Sequence, residues 1–398
     1  MLLERFLKYV RIDTQSDEHS DTAPSTKKQF DLLHVLEKEL NDLGVKTDLT
    51  KEGRLYGFVP GNVKYETIGL CAHVDTAPDF TGTNVNPNVV KNYDGKDIPL
   101  GKSGRVLSPK DYKFLLKKVG KTLITTDGET LLGADDKAGV AIIMEVVEAV
   151  LKKPIEERYP LSILFTPDEE IGRGAEHFDP IKYGAKFAYT FDGSDPREIN
   201  VETFNAKSAT ITIIGKSIHP GDAKGIMVNA ALVLTEFISM LPKNMIPSKT
   251  EAHQGFNHLT EIEGCVEKAS MHYILRNHDM AKLQKQEKQF HEIAEKLQKK
   301  YPSAKIEIKT SDSYKNMISV IADRPACKHH IEATFKSLGI PFNYAPIRGG
   351  TDGTTFSYMG CPTPNLGTGS YNHHGPYEFA VLEEMEELVK IGTEIFKI

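Results

Sequence analysis

Two patterns of secondary-structure signal share this chain of 398 residues, and one interrupts the other. Up to about residue 202, segments with helical spacing alternate with short apolar runs that read as strands, among them Leu161–Thr166 and residues 187–191. After Asp135 a long helix is expected, with small and apolar residues at Ala138, Val140, Ile142, Ile143, Val146 and Val147. Such alternation predicts a mostly parallel sheet covered by helices. From about 203 to 315 the order becomes β-α-β-β-α-β: strand 208–214, helix 229–241, strands near 259–266 and 268–275, helix 279–300 and strand 305–309. A split unit of that kind closes two helices onto an antiparallel sheet by itself, in the ferredoxin-like manner. Helices at 328–338 and 381–396 then resume the first pattern. The expected fold is therefore α/β, with a discontinuous main domain (1–202 and 316–398) and an inserted α+β domain (203–315). Residues 84–104, rich in Asn, Asp, Gly and Lys, read as a long surface loop, and the charged helix 279–300 as a solvated face only.

Composition removes several classes of function. A formal net charge of −6 argues against a nucleic-acid partner, and no run approaches the roughly 18 apolar residues of a membrane span. Met1-Leu2-Leu3-Glu4-Arg5-Phe6-Leu7 mixes an acid and a base into an amphipathic pattern, which reads as a cytoplasmic helix and not a leader. Cys71, Cys265, Cys327 and Cys361 show no paired spacing in a chain too long to need staples, so reduced thiols are expected. No Gly-x-Ser-x-Gly elbow supports nucleophilic hydrolysis.

What the chain does hold is an inventory of metal ligands. His73-Val74-Asp75, Gly133-Ala134-Asp135-Asp136, Asp168-Glu169-Glu170, Asp192-Gly193 and His373-His374-Gly375 supply imidazole and carboxylate donors without using a cysteine. A two-metal centre needs such a set, including one carboxylate with two oxygens to share between ions. Most of these motifs follow a strand-like run, and open α/β sheets gather ligands at the carboxyl ends of their strands. On sequence grounds alone either Asp135 or Asp136 could be the shared carboxylate, since adjacent acids at a helix start also serve as caps.

His73-Val74-Asp75-Thr76, Leu132-Gly133-Ala134-Asp135-Asp136-Lys137-Ala138-Gly139, Phe165-Thr166-Pro167-Asp168-Glu169-Glu170, His219-Pro220-Gly221 and Arg348-Gly349-Gly350-Thr351-Asp352-Gly353 occur together and in order. In this the chain resembles the peptidase T family, the tripeptide aminopeptidases among the co-catalytic dizinc exopeptidases, from Leu3 to the last helix. The resemblance implies a cytoplasmic metallopeptidase with two Zn2+ per subunit, although His and carboxylate sites also take Mn2+ or Co2+. It implies His73, Asp135, Glu170, Asp192 and His374 as metal ligands, with Asp135 shared, and it selects His374 over His373. Asp75 would hold the His73 tautomer, and Glu169 would activate a metal-bridging water and pass its proton to the leaving amine. An Asp at 192 resembles the aminopeptidase side of the family, while a Glu there accompanies carboxypeptidases and deacylases.

In the inserted domain, the resemblance implies that His219 supports the scissile carbonyl oxygen. Arg276 and Arg348 are expected to receive the peptide's terminal carboxylate, because a guanidinium matches it bidentately, and Asn205 to hydrogen-bond the peptide. The same resemblance assigns this domain as a lid and dimerisation element, pairing into a homodimer. The alternatives left open are a dipeptidase or an N-acyl amino-acid deacylase, and a catalytically silent metal- or peptide-binding protein. The presence of Glu169 speaks against the silent one.

Overall fold

The computed structural model describes residues 1–398. The chain divides into two compact units. The first comprises Met1–Val201, Met317–Ala345 and Thr351–Ile398, and the second comprises Glu202–Asn316 and Pro346–Gly350.

The first unit is built on an eight-stranded sheet. Its centre is parallel: Leu161–Thr166, Ile68–His73, Phe187–Gly193 and Asn365–Gly367 run side by side in that order. Antiparallel pairs flank them, with Lys46–Leu49 and Leu55–Val59 on one side and Glu198–Asn200 on the other. Ile68–His73 and Leu161–Thr166 are buried at every residue, so these largely apolar strands have no solvent-facing side. The helix Ala134–Leu151 lies over this sheet, buried nearly all round. It packs into one core with the helices Leu2–Val10, Gln29–Asp42 and Leu382–Ile395.

A second, four-stranded sheet in the same unit corrects the surface-loop reading of residues 84–104. Ser370–Tyr371, Phe379–Val381, Leu123–Thr125 and Asn88–Val90 form an antiparallel sheet, and Ile98–Leu100 pairs with Arg105–Leu107 as a hairpin. Tyr93, Ile98, Leu100 and Leu107 bury themselves with Leu115, Leu123, Phe379 and Val381 in a core of their own. Each strand is only three residues long or less, too short for a periodic signal to rise above the polar residues between them.

The second unit is an antiparallel sheet ordered Phe256–Gly264, Lys268–Asn277, Asn205–Ile214, Lys305–Tyr314, covered on one face by the helices Ala230–Met240 and Met280–Lys300. The charged helix is more than a solvated face. Leu283, Phe290, Ile293 and Leu297 close the core, and buried Gln286 bonds Asn257, Asn277 and the Phe256 carbonyl. The segment Pro346–Gly350 returns from the far end of the sequence to this unit. The Phe204 N–H donates to the Gly349 carbonyl, and a Cβ at Gly350 would meet the Tyr314 ring at 2.8 Å. No helix of the chain is long and apolar enough to cross a membrane.

Candidate metal centre

The parallel register decides what can meet. His73 ends its strand directly opposite Thr166, and Phe187–Gly193 continues past both on the other side of Ile68–His73. Buried apolar strands can release polar side chains only at their ends, so His73, Glu169, Glu170 and Asp192 emerge at one edge of the sheet. Asp135 arrives at the same edge from the start of the long helix, and the loop 372–378 between Ser370–Tyr371 and Phe379–Val381 brings His373 and His374.

The side chains converge closely. His73 Nε2 lies 3.0 Å from Asp135 Oδ1 and 3.6 Å from Asp192 Oδ1. The other oxygen of Asp135 is 3.5 Å from His374 Nε2, which lies 2.9 Å from Glu170 Oε2. Glu170 Oε1 is buried with no hydrogen-bond partner. Two groups have donor atoms within 4.8 Å of one another: His73, Asp135 and Glu170, and His73, Asp136 and Asp192. Asp136 is also tied to the backbone, accepting from the N–H groups of His73 and Gly139. His373 takes a different position, with Nε2 2.8 Å from Ser370 Oγ and Nδ1 3.3 Å from Asp135 Oδ2.

Electrostatics follow from putting so many acids out of water. Burial pushes Glu169 and Asp136 well above the usual carboxylate range, with the nearby Asp192 adding to the effect. Burial and the neighbouring Asp135 raise Glu170 to about 7, although His374 opposes them. Burial opposes charge on His73 and His374, yet the surrounding carboxylates win; His73 is held well above its ordinary value and His374 is pushed up to about 12. Asp135 goes the other way, for His373, His374 and His73 overcome its burial and hold it well below the usual range. The ion-pair partners of Asp135, Glu170 and Asp192 are all imidazoles. A surplus of buried carboxylate, one oxygen of it unpartnered, and a donor set of nitrogen and oxygen alone fit divalent cations of the zinc or manganese type.

Around these groups stand Asp75, expected from the sequence to hold His73, and further residues whose role the sequence did not announce. His73 Nδ1 faces Asp75, 3.1 Å from its carbonyl and 3.3 Å from Oδ1. The Asp75 carboxylate also accepts from the N–H groups of Glu169 and Glu170 at 3.0 and 3.2 Å. Asp168, at φ 59°, turns the chain after the strand, its carboxylate buried under donors from Ser25 and Gln29. Asp352 accepts from Thr166 Oγ1 at 2.6 Å, and burial raises it to about 7. Glu378 is 1% exposed and accepts from the backbone N–H groups of Leu132, Gly133 and Asp135. An isolated Glu within Pro376-Tyr377-Glu378-Phe379-Ala380-Val381 was the available signal, because a lone acid in an apolar run is either strained or partnered.

The remaining expected site residues, His219, Arg276, Arg348 and Asn205, lie in the second unit. His219 is 78% exposed at the start of the turn Pro220–Asp222, its Nδ1 accepting from Gly221 N–H. Arg276 donates through Nη1 to the carbonyls of Lys207 and Leu275 and lies over the Tyr314 ring. Arg348 uses Nη1 and Nη2 on Ala252 O, Gln254 O and Thr250 Oγ1, with its guanidinium over Phe204 and Phe256. Asn205 donates through its amide to the carbonyls of Asn277 and His278 and accepts from Asn316 N–H, so it ties strand ends together.

Residues 126–397 match the model of Peptidase family M20/M25/M40. The chain is 46% identical over 392 residues to Peptidase T of Staphylococcus aureus strain Newman, covering 98% of this chain and 96% of the relative. In fold it resembles a tripeptidase from S. aureus subsp. aureus mu50, with TM-score 0.79 and 23% identity over 100% of this chain and 97% of that one. It also resembles aminopeptidase PepT from Bacillus cereus ATCC 10987, with TM-score 0.76 and 22% identity over 99% and 96% of the two chains.

Proposed function

The chain belongs to Peptidase family M20/M25/M40, and from that premise we propose that it is an aminopeptidase removing the N-terminal residue of tripeptides. The observation that carries the reading is Asp135, whose two oxygens face different imidazoles, His73 at 3.0 Å and His374 at 3.5 Å. In this reading His73, Asp135 and Asp192 would hold one Zn2+ ion and Asp135, Glu170 and His374 a second, with Mn2+ or Co2+ able to take their place. When bound they supply Lewis acidity at the scissile carbonyl and lower the pKa of water.

The residues of the chain do the rest. Glu169, whose burial raises its affinity for a proton, acts as the carboxylate: it takes a proton from the attacking water and delivers it to the departing amine. Asp75 holds His73 through Nδ1 and fixes the backbone from which Glu169 and Glu170 project. His219 is assigned the hydrogen bond to the developing oxyanion. For the terminal carboxylate Arg276 is favoured over Arg348: both its hydrogen bonds come from Nη1, which leaves Nη2 and Nε for a carboxylate, whereas Arg348 has both terminal nitrogens engaged. The second unit also leaves Phe256–Gly264 and Lys305–Tyr314 as sheet edges, which supports a homodimer formed through it. Free thiols at all four cysteines support a cytoplasmic setting.

The test is chromatographic analysis of products from free, N-acetylated and C-amidated trialanine, beside dialanine and tetra-alanine, with Zn2+ or Mn2+ supplied. Alanine and dialanine from free trialanine, abolished by acetylation and weakened by amidation, are expected. Release of acetate or a preference for dialanine would overturn the reading in favour of a deacylase or dipeptidase.

A further inference from the structure

The loop that carries His373 and His374 is a hairpin, and its base holds a buried acid. Ser370 pairs with Ala380 and Tyr371 with Phe379, so residues 372–378 are the connection between two short strands. Pairing of Phe379–Val381 with Leu123–Thr125 and the hydrogen bond from Thr126 Oγ1 to the Pro376 carbonyl anchor that connection to the second sheet. Glu378 is the residue next to the returning strand, four positions after His374. Its Oε2 accepts from Leu132 N–H at 2.7 Å and from Gly133 N–H at 2.8 Å, and its Oε1 accepts from Asp135 N–H at 3.0 Å.

Those three donors belong to the turn that starts the long helix, where Gly133 adopts φ +76° and the helix has no side-chain cap. A carboxylate taking three backbone N–H groups replaces the missing cap and fixes the peptide plane of Asp135. The same acid therefore joins two segments about 240 residues apart, one bearing Asp135 and the other His374. Asp135 and His374 are the pair whose 3.5 Å approach the metal site depends on. Other acids at the site bind elsewhere: Asp75 on the Glu169–Glu170 backbone, Asp168 on Ser25 and Gln29, Asp352 on Thr166.

We propose that Glu378 is a positioning residue that, by accepting from the N–H groups of Leu132, Gly133 and Asp135, sets the Asp135 carboxylate between His73 and His374 and fastens the Asp135 turn to the His374 hairpin. This rests on the metal-site reading above. Glu378 binds no ion and meets no substrate; it acts through Asp135. Glu378→Gln retains the shape but puts an NH2 group against backbone donors, so one side of the clamp is lost while the buried volume is kept.

The experiment is titration of the metal-free protein with Zn2+ and, separately, with Co2+, followed by calorimetry and the visible cobalt spectrum, on the wild type, Glu378→Gln and a remote control, Glu39→Gln. Glu39 is bonded to Arg5, Lys8 and Tyr9 in the outer helices. In Glu378→Gln, affinity is expected to fall by roughly tenfold to a hundredfold, as for other partners of metal ligands, with an altered cobalt spectrum; Glu39→Gln should bind as the wild type does. Unchanged affinity and spectrum in Glu378→Gln, with only the melting temperature of the metal-free protein lowered, would overturn the proposal and leave Glu378 a fold-stabilising acid. If Glu378→Gln does not fold, hydrogen exchange of residues 131–136 in the metal-free wild type decides. Slow exchange supports the clamp, and exchange at free-peptide rates defeats it. A wild type that takes up neither ion would instead remove the metal-site reading itself.

Discussion

The central strands of the two units handle polarity in opposite ways. In the first unit Ile68–His73 and Leu161–Thr166 are buried at every position, and their chemistry emerges only where they end. In the second unit Lys268–Asn277 alternates strictly, with Ala269, Met271, Tyr273 and Leu275 on the helix-covered face and Ser270, His272, Ile274 and Arg276 on the other. A parallel sheet roofed by helices can therefore concentrate charge at one edge. An antiparallel sheet with one free face spreads its polar groups along each strand.

The largest effect should come from the strand-end chemistry. Glu169→Gln is expected to lower kcat by roughly a hundredfold to ten-thousandfold, the usual worth of a positioned proton acceptor, with metal content by elemental analysis unchanged. A variant with near-normal kcat would move the proton transfer away from the strand end.

Next comes the interior of the all-buried strands. Ile163→Ala removes a fully buried side chain flanked by the neighbouring strands, and about 2–5 kcal/mol of stability should be lost in urea unfolding followed by circular dichroism. Ile274→Ala, on the half-open face of the second unit, should lose clearly less. Equal losses would erase the distinction drawn between the two sheets.

A smaller effect is expected where charge is buried away from the edge. Lys118 Nζ lies 2.7 Å from Glu384 Oε1, with Lys121 and Tyr371 bonded to the same carboxylate. Burial would raise Glu384, but these donors overcome it and hold its carboxyl below the ordinary range. Because the folded-state value is the lower one, the stabilisation is complete above the ordinary carboxylate range and is lost as pH falls through the folded-state value. Glu384→Gln should be less stable at neutral pH by about 1–3 kcal/mol, and the gap should close on acidification. A gap independent of pH would show that packing, and not charge, holds this site. Smallest of all, Thr212→Val on the free face should change the stability of the second unit by less than about 0.5 kcal/mol; a larger loss would mean that this face is not merely polar surface.

Much of the fold was legible because periodicity is a local property. The strand Leu161–Thr166 coincides with its apolar run, and the β-α-β-β-α-β order of the second unit follows from alternation and helix spacing alone. The sheet containing Asn88–Val90 was not legible, since its strands are too short to show a period and their partners lie as far away as Phe379–Val381. At the site, the histidines and acid doublets were visible as residue types able to bind a metal. Asn205 is expected from the sequence to hydrogen-bond a peptide, and no local signal shows that Asn277, His278 and Asn316 already engage it.

By itself, then, the sequence determined which segments become strands and helices, and which side chains are of a type able to bind a metal or transfer a proton. Only the tertiary structure decided which acids face one another and which are occupied by backbone. Asp75 reaches the Glu169 and Glu170 amides, and Glu378 those of Leu132, Gly133 and Asp135, across separations of 94 to 246 residues. A buried carboxylate must find its donors wherever folding places them, so its partner is a property of the packed core.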